Sequence, residues 1–214
     1  MIKIPYEVKS GFENMQIDSD LLDRAIEENL QEPIFRLYGW SPACVSLGRN
    51  QKDDFVDEKF LKENGIDVVR RLTGGRALLH NNEITYSYIC PVSLLTNGEN
   101  VTESYKEISQ ILINELKKLN IELDFGGIKK YKGHVDYCML ISTGADLCWQ
   151  GRKLIGSAQF RKNGYILQHG SILYDYDKSL LETIFKEKVD TSSIVSIKEI
   201  NPAITKEDII NAFC

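Results

Sequence analysis

Two periods of apolar residues run through the chain, one near four and one of two. Over residues 14–31, Leu22, Ile26 and Leu30 recur at every fourth position, the stripe of an amphipathic helix, with Pro33 as its stop. Residues 102–120 carry Tyr105, Ile108, Leu112, Leu116 and Leu119 on one helical face, and Ser104 with Glu107 has capping-box spacing. DEKFLKENG, residues 57–65, reads as a short helix stopped by Gly65, and two short helices close the chain, the last capped by Thr205. The strand period marks IKIPYEV, IFRLYG, ACVSLG, IDVVRRL, RALLH and ITYSYICP, the last rich in β-branched and aromatic residues and ended by Pro91. IDVVRRL and RALLH are joined by a turn at Thr73-Gly74-Gly75. ADLCW, KLIGSAQFR and YILQHGSIL read as antiparallel strands turning at Gly151 and at Asn163-Gly164. Between them and the long helix lies GGIKKYKGHVDYC, whose three glycines predict a loop. Strands cluster and helices intervene irregularly, so the class is α+β, with a central mixed, largely antiparallel sheet flanked by helices.

Composition narrows the function more than the fold. The 214 residues suit one domain over 1–214, with no accessory domain in view. A net charge of −5 argues against non-specific nucleic-acid binding. No apolar run is long enough to span a membrane and the first residues lack a secretory apolar core, so the expected compartment is the cytoplasm. Five cysteines, none in C-x-x-C spacing, fit neither a disulfide framework nor a zinc site, and the site is expected to hold no metal.

The chemistry gathers in two segments. RRLTGGRALLH, residues 70–80, sets two glycines among Arg70, Arg71 and Arg76, with a hydroxyl at Thr73 and an imidazole at His80. Adjacent glycines let a backbone approach a ligand closely, yet a bare T-G-G is most often a turn with solvated arginines, and no G-K-[ST] follows to make a phosphate loop. GRKLIGSAQFRKNGYILQHG, residues 151–170, places the small residues Gly156, Ser157 and Ala158 after Lys153, and ends on Gln168 and His169.

Taken with NMQID at 14–18 and ACVSLGRNQ at 43–51, these blocks resemble, in order, the conserved segments of lipoate-protein ligases and octanoyltransferases, the lipoate-protein ligase A/B family. The resemblance covers most of the chain. Two positions depart from the common pattern: Arg76 stands for a third glycine and Asn81 for an aspartate, and the arginine is similar to the octanoyltransferase branch that uses a cysteine nucleophile. What the resemblance implies is a biotin/lipoyl protein ligase-like catalytic fold. Gly74 and Gly75 would line an acyl tunnel, with Arg71, Thr73, Arg76 and His80 around it. Gly156, Ser157 and Ala158 would make room for the acyl group, with Gln168 and His169 in support. Lys153 would be a cation aimed at the acyl oxygen, where an arginine fork is not equivalent.

Cys138 precedes Gly151 by 13 positions (151 − 138), a spacing similar to that of the cysteine-dependent octanoyltransferases, and Lys129, Lys130, Lys132, His134 and Lys153 are the cations expected to favour its thiolate. Cys148 reads as a strand filler. The resemblance thus implies transfer of an octanoyl group from acyl carrier protein, through a Cys138 thioester, to a lysine of a lipoyl domain such as the glycine-cleavage H protein or a 2-oxoacid dehydrogenase E2, with no cofactor. GGIKKYKGH is the expected basic docking segment for the acidic partners. The alternatives are an ATP-dependent lipoate ligase, which would need ATP and lipoate, a lipoyl amidotransferase, and a non-catalytic subunit that binds lipoyl domains. A biotin ligase fits less well, because its GRGRxGR-type loop is absent.

Overall fold

The computed structural model describes residues 1–127, 136–140, 144, 146–186 and 188–213. A seven-stranded sheet runs in the order β1 (Ile2–Lys9), β2 (Ile34–Trp40), β6 (Glu83–Pro91), β10 (Tyr165–Leu173), β9 (Arg152–Lys162), β8 (Leu147–Trp149) and β7 (Asp124–Phe125). Only the β1–β2 pair is parallel; the other neighbours are antiparallel. A second sheet, β4 (Asp67–Arg70), β3 (Cys44–Leu47) and β5 (Leu78–His80), has β3 in the middle. Helices α1 (Gly11–Glu27), α2 (Glu58–Glu63), α3 (Val101–Lys117), α4 (Lys178–Phe185), α5 (Ile197–Ile200) and α6 (Lys206–Phe213) complete the chain. The α+β class and the mixed, mostly antiparallel sheet are as expected.

Strands β2, β6 and β10 are buried along their whole length, so each has two inward faces. Side chains alternate across a strand. One face of β6 offers Ile84, Tyr86, Tyr88 and Cys90 to the main apolar core, with Phe35 and Leu37 of β2 and Ile108, Leu112 and Leu116 of α3. The other face carries Ile34, Ile89 and Leu167 against Leu22 and Ala25 of α1. Further along that same face, apolar residues give way to Arg36, Ser87 and His169, and then to Tyr38, Thr85 and Ser171. The polar stretch is not solvated: it is buried between the sheet, α1 and the small sheet, which α1 also touches through β4.

Several boundaries differ from the sequence reading. Helix α1 starts at a capping box of Ser10 and Glu13 and ends at Glu27, well before Pro33, because Asn29 turns left-handed (φ 48°) and Leu30 N–H folds back onto the Ala25 carbonyl at 2.9 Å. Asn100, not Ser104, caps α3; Ser104 is buried and accepts a hydrogen bond from Arg161 at 2.6 Å instead. Three helices, not two, close the chain, and Thr205 does cap the last, accepting from Asp208 N–H at 3.1 Å. Strands β4 and β5 do not pair with each other as a hairpin. They flank β3, one parallel and one antiparallel, so the Thr73-Gly74-Gly75 segment crosses over the end of β3. There Gly75 has φ +93°, and a Cβ on Gly48 would sit 1.9 Å from the Gly75 carbonyl oxygen. Both positions require glycine for that close approach.

Candidate active site

Of two adjoining cavities, one opens along the polar face and the other reaches the α3 side of β9, where Tyr105 and Gln159 line it. The inner one, about 480 Å³, lies between β2, β6, β9 and β10 on one side and the small sheet on the other; Tyr38, Trp40, Leu78, His80 and Met15 are among its walls. The outer one, about 760 Å³, is walled by Gly74, Arg76, Tyr105, Asp146, Lys153 and Gln159. Gly75, Cys138, Ser157 and Ala158 line both, so Cys138 stands at the junction.

Arg71 anchors the wall between the crossing segment and the sheet. Its guanidinium donates to the carbonyls of Ser46 (2.8 Å), Gly74 (2.9 Å) and Arg76 (2.7 Å), which fixes the path of the double-glycine loop. It also donates to two hydroxyls, and each leads to an imidazole and then a carboxylate. Ser46 Oγ, at 3.2 Å, shares a 2.8 Å hydrogen bond with His80 Nε2, whose Nδ1 faces Glu83 at 3.3 Å. Thr73 Oγ1, at 3.1 Å, shares one of 2.7 Å with His169 Nε2, whose Nδ1 faces Asp18 at 3.4 Å. Asp18 further pairs with Arg36 (3.1 Å) and accepts from Tyr38 (2.8 Å) and Ser87 (3.0 Å). Burial alone would raise the Asp18 carboxyl; the hydrogen bond and charge of His169, with Arg36 and Tyr38, outweigh it and hold it below the usual carboxylate value. Burial pushes His80 down despite Glu83, so at neutral pH its Nε2 accepts from Ser46 and its Nδ1–H donates to Glu83. Trp40 stacks on His80 with centroids 3.9 Å apart.

The wall where the two cavities meet is built on β9 and on a 3₁₀ turn, Cys138–Leu140. Cys138 N–H donates to the Ala77 carbonyl at 2.8 Å, tying that turn to the strand that follows the double glycine. Lys153 is 2% exposed; its Nζ donates to the Cys138 carbonyl at 3.1 Å and pairs with Asp146 Oδ1 at 3.2 Å. Pairing between β8 and β9 shifts here, from Leu147↔Ile155 to Cys148↔Lys153, so Leu154 is an extra residue. A bulge of this kind re-aims a side chain. Gly156 clears the path: a Cβ there would stand 3.0 Å from Lys153 Cε. Burial lowers the Arg71 pKa, the Cys138 and Tyr105 side chains oppose that shift, and the guanidinium stays protonated.

Of the residues singled out from sequence, Arg71, Gly75, His80, Cys138, Gly156, Ser157, Ala158 and His169 line the inner cavity, and Gly74, Arg76 and Lys153 the outer one. Thr73 and Gln168 line neither. Thr73 is wholly buried in the Arg71–His169 linkage, and Gln168 lies on the opposite face of β10, where it donates to Tyr86 at 2.8 Å; the Tyr86 hydroxyl in turn bonds Ser157 at 2.7 Å. Cys148 is a buried filler. The expected cations Lys129, Lys130, Lys132 and His134, and most of the docking segment, lie outside the described residues. Sequence reasoning passed over Asp18, Arg36, Ser46, Glu83 and Asp146, although Asp18 stood inside the quoted NMQID block and Ser46 inside ACVSLGRNQ. Among the described residues no group of three or more His, Cys, Asp or Glu is placed to hold a metal, and no helix is long and apolar enough to cross a membrane.

Comparison with known proteins shows the family and the fold. Residues 10–214 match the model of the lipoyl protein ligase A/B catalytic domain. The chain is 38% identical to octanoyltransferase LipM of Staphylococcus epidermidis, over 96% of this chain and 81% of that protein. It is 41% identical to octanoyltransferase LipM of Carboxydothermus hydrogenoformans, over 84% of this chain but only 66% of that one, so it spans about two thirds of that relative's length. A crystal structure of lipoate-protein ligase A bound with ATP superposes with a TM-score of 0.74 at 21% identity, covering 99% of this chain and 81% of that one, and shares the fold. The chain belongs to the lipoyl protein ligase A/B catalytic-domain family, and its curated relatives place it among the acyltransferase enzymes of that family.

Proposed function

We propose that this protein transfers an octanoyl group from the thioester of an acyl carrier protein to a lysine of a lipoyl domain, in protein lipoylation, through a thioester on Cys138. The observation that carries the reading is the place of Cys138 at the junction of the two cavities, with Lys153 bonded to its carbonyl. The inner cavity is mostly apolar on its exposed walls and suits an acyl chain. The outer cavity opens beside the thiol and suits first the donor's thioester and then the acceptor's amine. Similarity to proteins named octanoyltransferase supports the octanoyl group as the cargo.

In the first half, the Cys138 thiolate adds to the thioester carbonyl and the carrier's thiolate leaves. Lys153 is the cation for the oxygen that turns negative in the tetrahedral intermediate. In the second half, the acceptor amine displaces Cys138 and an amide forms. The lipoyl domain of the glycine-cleavage H protein or of a 2-oxoacid dehydrogenase E2 is the acceptor class.

Mixing the protein with octanoyl acyl carrier protein and measuring intact mass tests this directly. An octanoyl adduct that disappears on Cys138→Ala and transfers to a lipoyl domain without ATP is the expected result. Transfer at the wild-type rate by Cys138→Ala, or an adenylate formed from ATP and lipoate in place of the adduct, overturns it.

A further inference from the structure

An unperturbed lysine has a pKa of about 10.4 and so reaches the outer cavity as an ammonium, which cannot attack a thioester. Asp146, immediately before β8, is 3% exposed and is the sole carboxylate among the described residues lining either cavity. Its backbone carbonyl is held by Gly126 N–H at 2.8 Å, and its Oδ1 lies 3.2 Å from Lys153 Nζ.

The groups that face this carboxylate come from several elements. Lys153 approaches from β9, Cys138 of the 3₁₀ turn, Tyr105 of α3 and Arg76 line the same cavity, and the charge of the carboxylate reaches Tyr105 and Tyr86 of β6. Neither tyrosine is a usable base. Burial, with the Asp146 charge adding to it, pushes Tyr105 up to about 12, and burial raises Tyr86 further still. The two imidazoles, His80 and His169, line the inner cavity and are each engaged by a hydroxyl and a carboxylate.

We propose that Asp146 receives the proton the acceptor lysine must shed, while Lys153 beside it crowds the incoming ammonium with a like charge. The inference rests on the reading that Cys138 carries the acyl group. The ammonium nitrogen loses two protons on becoming an amide N–H. One passes to the Asp146 carboxylate, which frees the lone pair. The lone pair then forms the C–N bond, and the second proton goes to the Cys138 sulfur as the C–S bond breaks. Acyl-thioester, ammonium and carboxylate become amide, thiol and carboxylic acid, with no further reagent. The carboxylate attracts the ammonium into place, and the neighbouring cation favours its neutral form.

The test separates the two half-reactions in Asp146→Asn. Acyl-enzyme formation from octanoyl acyl carrier protein is read by intact mass. The isolated acyl-enzyme is then challenged with a lipoyl domain across a pH series, and separately with hydroxylamine, an amine already unprotonated near neutral pH. The variant is expected to acylate within about tenfold of wild type, and its transfer to the lipoyl lysine is expected to fall about 100-fold or more near neutral pH and to recover as pH rises. Hydroxylamine is expected to clear the acyl group within about tenfold of the wild-type rate. Asp146→Glu, which keeps a carboxylate, is expected to keep the wild-type shape of the pH profile, and this holds the test open should the Asn variant fold poorly.

Equal loss with both amines would mean that Asp146 only props Lys153, and would overturn the proposal. So would undiminished lysine transfer by Asp146→Asn, or a Glu variant whose profile matches that of Asn. A wild-type protein that forms no Cys138 adduct would instead defeat the reading of the reaction itself, and the mass measurement tells the two failures apart.

Discussion

Thr73 and His169 stand 96 residues apart in sequence and share a 2.7 Å hydrogen bond in the buried interior. This bond joins the two chemistry-bearing segments into one wall. Thr73→Val keeps the shape of the side chain and removes only the hydroxyl, leaving His169 Nε2 and Arg71 Nε each short of a partner. The expected loss is about 1–3 kcal/mol of unfolding free energy, the cost of a buried group left unsatisfied, read from denaturant midpoints at constant slope.

His80 makes stability depend on pH in a known direction. Burial lowers its pKa in the folded chain, so the fold favours the neutral ring. Above about pH 6.5, the ordinary histidine value, both states are neutral and the contribution is whole. Below it the unfolded chain takes up a proton that folded His80 resists, and stability declines until the lower, folded-state pKa is reached. Denaturant unfolding at a series of pH values between about 7.5 and 5 should show this decline, and His80→Gln should flatten it. Parallel slopes in the two proteins would contradict the assignment.

Gly156→Ala tests the path of Lys153. The added Cβ would meet Lys153 Cε at 3.0 Å, Met139 Sδ at 3.1 Å and Lys153 Nζ at 3.2 Å. The far end of a lysine yields more easily than backbone, so the variant should lose no more than about 1–3 kcal/mol of stability. Acyl transfer should suffer more, by about tenfold or greater, because a small misplacement of a positioned group is costly. Comparing turnover with melting on the same preparation separates the two effects.

Lys153→Arg keeps the charge and changes its shape. A planar fork does not fit the narrow space over Gly156 between the Cys138 carbonyl and Asp146. Turnover is expected to fall about 100-fold or more, the range seen when an oxyanion donor is lost, with little change in KM for the acyl donor. Near-normal turnover would show that charge alone suffices.

The elements with clean periods were legible in the sequence, and the site only in part. The turns at Asn163-Gly164 and Gln150-Gly151 have positive φ at each residue, as the antiparallel β8–β9–β10 run required. The end of α1 was misread because Asn29, an ordinary polar residue in sequence, adopts a left-handed conformation that no apolar pattern announces. The double-glycine segment reads as a turn between two strands, and sequence neighbours usually pair, whereas β3 intervenes between these two. Asp146 and Asp18 were missed for a common reason. A buried carboxylate looks like any surface carboxylate until folding brings beside it the cation that stabilises it, Lys153 of β9 for Asp146 and Arg36 of β2 for Asp18.

The hydrogen bond from Cys138 N–H to the Ala77 carbonyl has a consequence for re-engineering. Ala77 directly follows Arg76, whose own carbonyl is held by Arg71, so the loop that walls the inner cavity also suspends the turn that carries the thiol. On the proposed reading, substrate range and reactivity are therefore not modular in this scaffold. A loop grafted from a relative to admit a longer or bulkier chain would shift the sulfur along with the wall, and redesign of either has to treat residues 70–80 and 138–140 as one part.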